Sequence, residues 1–439
     1  MRAITSRRTA GRAFPALLLF ALTPCGAQTA AGPVKVEIRK ENGRFVLCRG
    51  GRPYFIKGAV FPGDPNGRFP MKDLAARGAN SVRASGLRTL DEAQRLGLSV
   101  LVNLPMRMES VHKFDYSDEA AVRRQFEDMK KRVLEFKDHP AVLMWAIGNE
   151  LSVGYTNKYV WNAVNDVARM IHEVDPNHPA LTVIGDGSIN AGDITEIQRR
   201  APELDLLGIN YYKGLEEVPA KIRANQWDKP YIVTEWGPSG DWQVPRTEWK
   251  ASIEETSTEK AQRYLERYQN TMQKDAERCL GSYVFLWQWR QERTHTWYGM
   301  FLESGERTEA VNVMQYLWTG QWPANRAPRI DALSIDGQPA AANVYVKTGS
   351  EHNAALKIAD PEGDPLTLRW EIMPEVGRGG YAGMGEQRSR PMPELIRKSG
   401  EREITFAAPE REGAYRVFVF ALDGRGNAAT ANIPFFVRP

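Results

Sequence analysis

The sequence has only three cysteines in 439 residues, too few for a disulfide scaffold. Once the N-terminal leader described below is set aside, Cys48 and Cys279 remain. These two can pair in an oxidising compartment, and two buried thiols are an equal reading. Apart from that leader there is no run of about 18 apolar residues, which excludes a membrane-spanning helix. A large excess of one charge is also missing. The formal charge is +4, the leader carries four arginines and no acid, and the remainder is near neutral. No basic patch is left for a nucleic-acid partner. No metal and no cofactor are expected either. The one candidate cation loop, Asp360-Pro-Glu-Gly-Asp364, reads as a polar turn, since Asp and Gly are turn formers.

What is present is an ordinary globular composition, 42% hydrophobic and 26% charged, long enough for a large domain and a smaller one. Residues 1–27 combine Arg2, Arg7, Arg8 and Arg12 with the apolar stretch Phe14–Leu22 and the small residues Gly26 and Ala27. That is the build of a secretory signal, with cleavage expected after Ala27 and a secreted or periplasmic product. Lipidation at Cys25 is disfavoured by Pro24 before it.

Val34–Arg39 and Arg44–Cys48 flank Asn42-Gly43 and predict a hairpin at 34–52, placed as a cap on a barrel floor. From residue 53 to 322 the pattern alternates strand and helix. Eight apolar segments read as strands: Tyr54–Val60, Asn80–Arg83, Leu98–Asn103, Val142–Ile147, Leu181–Ile184, Leu204–Asn210, Tyr231–Thr234 and Ser282–Trp287. Between them, Val122, Phe126, Met129, Val133 and Phe136 recur at helical spacing, as do Val160, Val164, Val167, Ile171 and Val174. Ser117 is the expected N-cap of the first of these helices. Alternation of this kind with eight strands predicts an α/β fold, a (β/α)8 TIM barrel. After a linker at 323–330, residues 331–439 carry strand-like segments separated by Gly and Pro, which predicts a small all-β immunoglobulin-like sandwich.

Two of the barrel strands run out into a glutamate. Glu150 closes Ala141-Val-Leu-Met-Trp-Ala-Ile-Gly-Asn-Glu150, and Glu235 follows Pro230-Tyr-Ile-Val-Thr. Strand C-termini form the active-site face of such a barrel, so the fourth and seventh strands deliver two acids to one mouth. Paired carboxylates are what glycoside hydrolysis needs. A structural ion pair is the plainer alternative, disfavoured by Asn149 before one acid and Trp236-Gly237 after the other.

Asn149-Glu150 and Thr234-Glu235-Trp236-Gly237 resemble the retaining β-glycosidases of glycoside hydrolase clan A, and within it family 2. Arg52-Pro-Tyr-Phe-Ile-Lys-Gly58 and Gly78-Ala-Asn-Ser-Val-Arg83 are similar to that family's first two strands, so the likeness spans roughly 44–320. It implies Glu150 as acid/base, Glu235 as nucleophile, Asn149 as partner of the sugar 2-hydroxyl, and Arg83 and Tyr212 as groups that orient Glu235. It further implies Trp287, at the end of strand eight, as a sugar-stacking ring, with Trp236 beside the nucleophile. Trp242, Trp289 and Trp297 can stack on sugar or fill core. His295 reads as a solvated loop histidine.

The expected substrate is a β-linked glycan, cleaved by double displacement through a glycosyl-enzyme. Only a hairpin precedes residue 54 where family 2 places sandwich domains, so sugar identity does not carry over. The compact plan also resembles fungal-type β-1,3-glucanosyltransferases, although Trp236 stands where they have Tyr. A transglycosylase using the same glutamates is therefore the alternative, and a noncatalytic carbohydrate-binding protein the second.

Overall fold

The computed structural model of the chain describes residues 32–190, 192–377 and 379–439, and the predicted leader lies outside them. Strands β1 (Val36–Glu41) and β2 (Arg44–Arg49) pair around Asn42-Gly43. Both turn residues have positive φ, 51° and 84°, as a two-residue hairpin of matching twist demands. A short β3 (Arg52–Pro53) completes this sheet. Val36 and Leu47 join the same buried cluster as Leu101, Ala146, Leu181 and Ile232 inside the barrel. The amides of Val36 and Phe45 bond the carbonyls of Asn177 and Glu277 at 2.8 Å, close before two of the barrel strands, so the hairpin closes the floor.

The barrel consists of β4 (Ile56–Val60), β5 (Ser81–Ala84), β6 (Ser99–Leu104), β7 (Val142–Ile147), β8 (Ala180–Ile184), β9 (Leu206–Asn210), β10 (Tyr231–Trp236) and β11 (Cys279–Val284). All eight are parallel, and pairing of β11 with β4 closes the ring, the TIM barrel that the alternating pattern predicted. Each strand is buried on both faces, which explains the unbroken apolar runs. On β7, Leu143 and Ala146 fill the interior while Trp145 and Ile147 meet the outer helices. The eighth strand ends at Val284 and not at Trp287, because pairing with β4 stops at Ala59. An apolar run does not mark where its pairing ends. Helix Glu119–Phe136 is capped by Asp118, whose side chain accepts from Ala121 N at 3.0 Å, so Asp118 and not Ser117 is the cap, worth about 1 kcal/mol. Cys48 and Cys279 are both buried free thiols, and burial pushes Cys279 up to about 12.

The C-terminal sandwich contains β12 (Arg329–Ile335), β13 (Tyr345–Lys347), β14 (Glu351–Ala359), β15 (Thr367–Pro374), β16 (Ile396–Ser399), β17 (Glu403–Ala407), β18 (Gly413–Leu422) and β19 (Ala428–Arg438). One sheet runs β12-β14-β17-β16 and the other β13-β19-β18-β15. Ala354, Leu356 and Ile358 of β14 point inward, and their neighbours outward, at the strand period of two. The Asp360–Asp364 loop is a polar turn in which Asp360 Oδ1 accepts from the amides of Glu362 and Asp364.

Strand β19 is buried on both faces, because its outer face lies on the barrel helix Ser257–Arg267. The joint is polar and fully enclosed. Glu254 accepts from Lys260 Nζ at 2.5 Å, Thr294 Oγ1 at 2.6 Å and Asn432 Nδ2 of β19 at 2.6 Å. Burial alone would push the Glu254 carboxyl up, but Lys260 and these donors hold it below its ordinary value. A buried, fully paired charge makes parting the two domains costly.

His295 was expected in solvent. It lies instead in this joint, 5% exposed, with its ring 4.5 Å from Phe418 and 5.6 Å from Phe420. Burial, helped by Arg388 and Arg369, lowers its pKa to about 3, even though Glu371 Oε2 stands 3.8 Å away. The unfolded chain therefore takes up a proton that the folded one refuses, and stability is lost as pH falls through the unfolded value of about 6.5 toward 3. The melting temperature is expected to drop more steeply between pH 7 and 5 in the native protein than in His295→Gln, read by scanning calorimetry. Parallel curves would contradict this.

Candidate active site

Arg83, Asn149, Glu150, Asn210 and Glu235 come from the ends of β5, β7, β9 and β10 and form one bonded chain. Gly148, at φ 71°, turns the backbone out of β7, and Glu150 itself sits in the left-handed region at φ 50°. A non-glycine residue there is strained, which is common where a side chain must be aimed. The guanidinium of Arg83, 3% exposed, organises the group. Its Nη1 donates to Glu235 Oε1 at 2.9 Å and its Nη2 to Asn149 Oδ1 at 2.7 Å, while Nε donates to Asn103 Oδ1 at 2.9 Å.

Because guanidinium is donor-only, it turns the side-chain oxygens of Asn103 and Asn149 toward itself. Asn149 presents its oxygen to Arg83, which leaves Nδ2 to donate to the hydroxyl of Tyr381 at 3.3 Å. Asn210 turns Oδ1 to Thr234 Oγ1 at 2.8 Å, so its Nδ2 donates to Glu150 Oε1 at 2.8 Å. Tyr212 OH donates to Glu235 Oε2 at 3.3 Å.

Burial is the largest influence on the Glu235 carboxyl and raises it. Arg83 opposes, Glu150 adds repulsion, and the group is pushed up to about 7. Arg83 and Tyr212 thus offset the desolvation of Glu235 without cancelling it. Tyr212 is buried, and its phenol is raised well above the ordinary value, so it keeps the proton that it donates to Glu235.

Glu150 and Glu235 line one cavity of about 340 Å³, together with Tyr212, Trp242, Glu292 and Arg293. It continues past Glu150 into a second space of about 590 Å³ over the ends of β7 and β8, walled by Tyr155, Asp186, Asp193 and again Trp242. The structure does not bring Trp236 and Trp287 to either space. Both are 0% exposed. Trp236 packs on Tyr264 and Tyr268, and Trp287 on Phe301. The tryptophan that lines both spaces is Trp242, edge-on to Tyr212 at 5.7 Å and 47% exposed.

Asn210 was not singled out from the sequence, although a polar residue ending the apolar run Leu206–Asn210 carries the same signal as Asn149. Nor was Tyr381. This residue belongs to the sandwich, yet its hydroxyl donates to Glu150 Oε2 at 2.6 Å. Among the described residues no group of three or more His, Cys, Asp or Glu could hold a metal ion, and no helix is long and apolar enough to cross a membrane.

A closed parallel barrel whose C-terminal rim carries two glutamates, at strands four and seven, is a scaffold of the glycosidase type. Residues 79–285 match the family described as glycosyl hydrolases family 2, TIM barrel domain, and the chain carries a barrel of that family's type. A beta-galactosidase of Arthrobacter sp. (strain B7) is 22% identical over 360 residues, covering 75% of this chain and 32% of that protein. A beta-glucuronidase of Streptococcus agalactiae serotype V is 24% identical over 261 residues, covering 48% of this chain and 42% of that protein. The matches thus span less than half the length of these relatives. Among solved structures, beta-glucuronidase 2 of Bacteroides uniformis, covalently bound to cyclophellitol-6-carboxylate aziridine, overlays with a TM-score of 0.50 at 15% identity, covering 92% of this chain and 48% of that one. At that identity the overlay speaks for the fold alone.

Proposed function

We propose that this protein is a retaining β-glycoside hydrolase working by double displacement on Glu235 and Glu150. The observation that carries the reading is that the two carboxylates line one cavity with different partners. Glu235 is paired with a guanidinium, as an attacking carboxylate needs, whereas Glu150 meets only neutral donors, the Asn210 amide and the Tyr381 phenol. In the first half-reaction a Glu235 oxygen attacks the anomeric carbon as the glycosidic bond breaks, and Glu150 gives its proton to the departing oxygen. In the second, Glu150 takes a proton from water, whose oxygen displaces Glu235 and frees the sugar. Asn149, beside both acids, is assigned to the sugar 2-hydroxyl. Trp242 replaces Trp287 as the ring for stacking on a sugar face. Relatives named beta-galactosidase and beta-glucuronidase support a β-glycoside as substrate. The basic and apolar segment at 1–27 supports export to the periplasm or beyond.

The test is proton NMR of the first product formed from a panel of β-linked glycosides and oligosaccharides, recorded before the sugar mutarotates. The β-anomer is expected first. An α-anomer would mean inversion and refute double displacement. Products longer than the substrate would move the reading to transglycosylation.

A further inference from the structure

The loop between β15 and β16 leaves the sandwich and crosses the barrel mouth, where Gly379–Gly383 line the cavity that holds Glu150 and Glu235. It is pinned to the barrel. Arg293 Nη2 pairs with Glu386 Oε1 at 2.7 Å, Arg293 N donates to Glu386 Oε2 at 2.5 Å, and Arg290 Nη2 donates to Ala382 O at 2.6 Å. Two of its glycines sit where a side chain would be crowded. A Cβ on Gly379 would stand 2.3 Å from Glu386 Cγ, and one on Gly383, at φ 71°, 3.0 Å from Glu292 Cγ. Ala382 is held at φ 51°, a strained conformation for a residue with a side chain. This anchored, strained loop carries Tyr381 to the acid.

The donors and acceptors around Tyr381 allow one arrangement. Asn149 Nδ2, oriented by Arg83, donates to the phenol oxygen at 3.3 Å. The single phenol proton then goes to Glu150 Oε2 at 2.6 Å. Glu150 Oε1 faces Asn210 Nδ2, which only donates, so a proton on the acid must reside on Oε2. Tyr381 therefore borders the oxygen that would release the proton. By donating to the remaining lone pair of Oε2, it directs the acid O–H into the cavity.

We propose that Tyr381 of the C-terminal sandwich is a positioning residue for Glu150, and that the sandwich loop is a wall of the sugar-binding site. This rests on the assignment of Glu150 as acid/base. Other ionisable groups lining the two spaces with Glu150 include Glu235, Tyr212, Asp186, Glu292 and Arg293 on one side and Tyr155, Lys158 and Asp193 on the other, with Arg83 behind Asn149.

The experiment uses the full chain and Tyr381→Phe, which keeps the ring and removes the hydroxyl, with aryl and alkyl β-glycosides of one sugar. kcat/KM is expected to fall about tenfold for alkyl leaving groups and less than twofold for 2,4-dinitrophenyl, at unchanged melting temperature. Equal losses across leaving groups would make the loop merely structural. A lower KM at unchanged kcat would mean that the phenol competes with the glycosidic oxygen. Either overturns the proposal. A second readout needs no substrate. The ¹³Cζ resonance of Tyr381, identified by its loss in Tyr381→Phe, is expected to move in Glu150→Gln, and an unmoved resonance overturns the contact. If that resonance moves while no β-glycoside is turned over, the hydrolase reading falls and the Tyr381–Glu150 contact stands.

Discussion

Replacing Glu235 by Gln is expected to lower kcat on β-glycosides by at least about four orders of magnitude, with the fold retained. Removing a covalent nucleophile removes the reaction path and not merely one stabilising contact, and such losses reach about 10⁶. The amide keeps the volume, and its one oxygen can still accept from Arg83, so an effect of this size reports chemistry and not collapse. The smaller Glu235→Ala variant adds a stereochemical readout. Azide in the vacated space should attack the anomeric carbon from the nucleophile's side and yield the α-glycosyl azide, with one inversion instead of two. The native pH profile bears on the same group. Burial and Glu150 raise the Glu235 carboxyl to about 7 against the pull of Arg83, so the ionised nucleophile is lost as pH falls through that value, and kcat/KM should decline on the acid side with a midpoint near 7. Full activity at pH 5 would argue that substrate binding or another residue sets the limb.

The second large effect is expected at Glu150. General acid catalysis contributes roughly 10²–10⁴-fold, and its worth depends on how much the leaving oxygen needs a proton. Glu150→Ala should lose about a thousandfold in kcat/KM on alkyl glycosides or disaccharides and under tenfold on a dinitrophenyl glycoside. The glycosyl-enzyme then outlives its general base, so a burst of dinitrophenol is expected, and azide should restore turnover with the β-glycosyl azide as product. Opposite azide anomers from Glu150→Ala and Glu235→Ala would separate the two roles in one assay. Equal losses on both substrate classes would reverse or cancel the assignment. The Tyr381→Phe result belongs to the same series, a smaller effect of the same leaving-group dependence, because the phenol acts through Glu150.

How legible the site was in the chain varies with the kind of residue. Glu150 and Glu235 stand out because polar groups interrupt apolar runs at the one point where a doubly buried strand exits. Arg83 stands at the end of the second strand, but its central place, holding Glu235 and Asn149 at once, depends on strand ends from across the barrel meeting around it. The tryptophans show why side-chain type is not enough. Trp287 and Trp242 have the same ring and both follow barrel strands, yet one is sealed against Phe301 and the other faces the cavity, a difference set by how the loop after each strand packs. His295 belongs with them, since what buries it is Phe418 and Phe420, more than a hundred residues away.

Local spacing by itself determined the barrel, its strand count, the hairpin before it, the sandwich after it and the strand ends that carry the carboxylates, because periodicity and the ends of apolar runs are properties of neighbours in the chain. Only the tertiary structure decided which amide faces which acid oxygen, which aromatic ring reaches the cavity, and that Tyr381, 231 residues beyond Glu150, enters the site from another domain. Those outcomes follow from long-range packing. The β19 face on the Ser257–Arg267 helix, the enclosed Glu254 network and the Arg293–Glu386 pair set the sandwich loop over the barrel mouth.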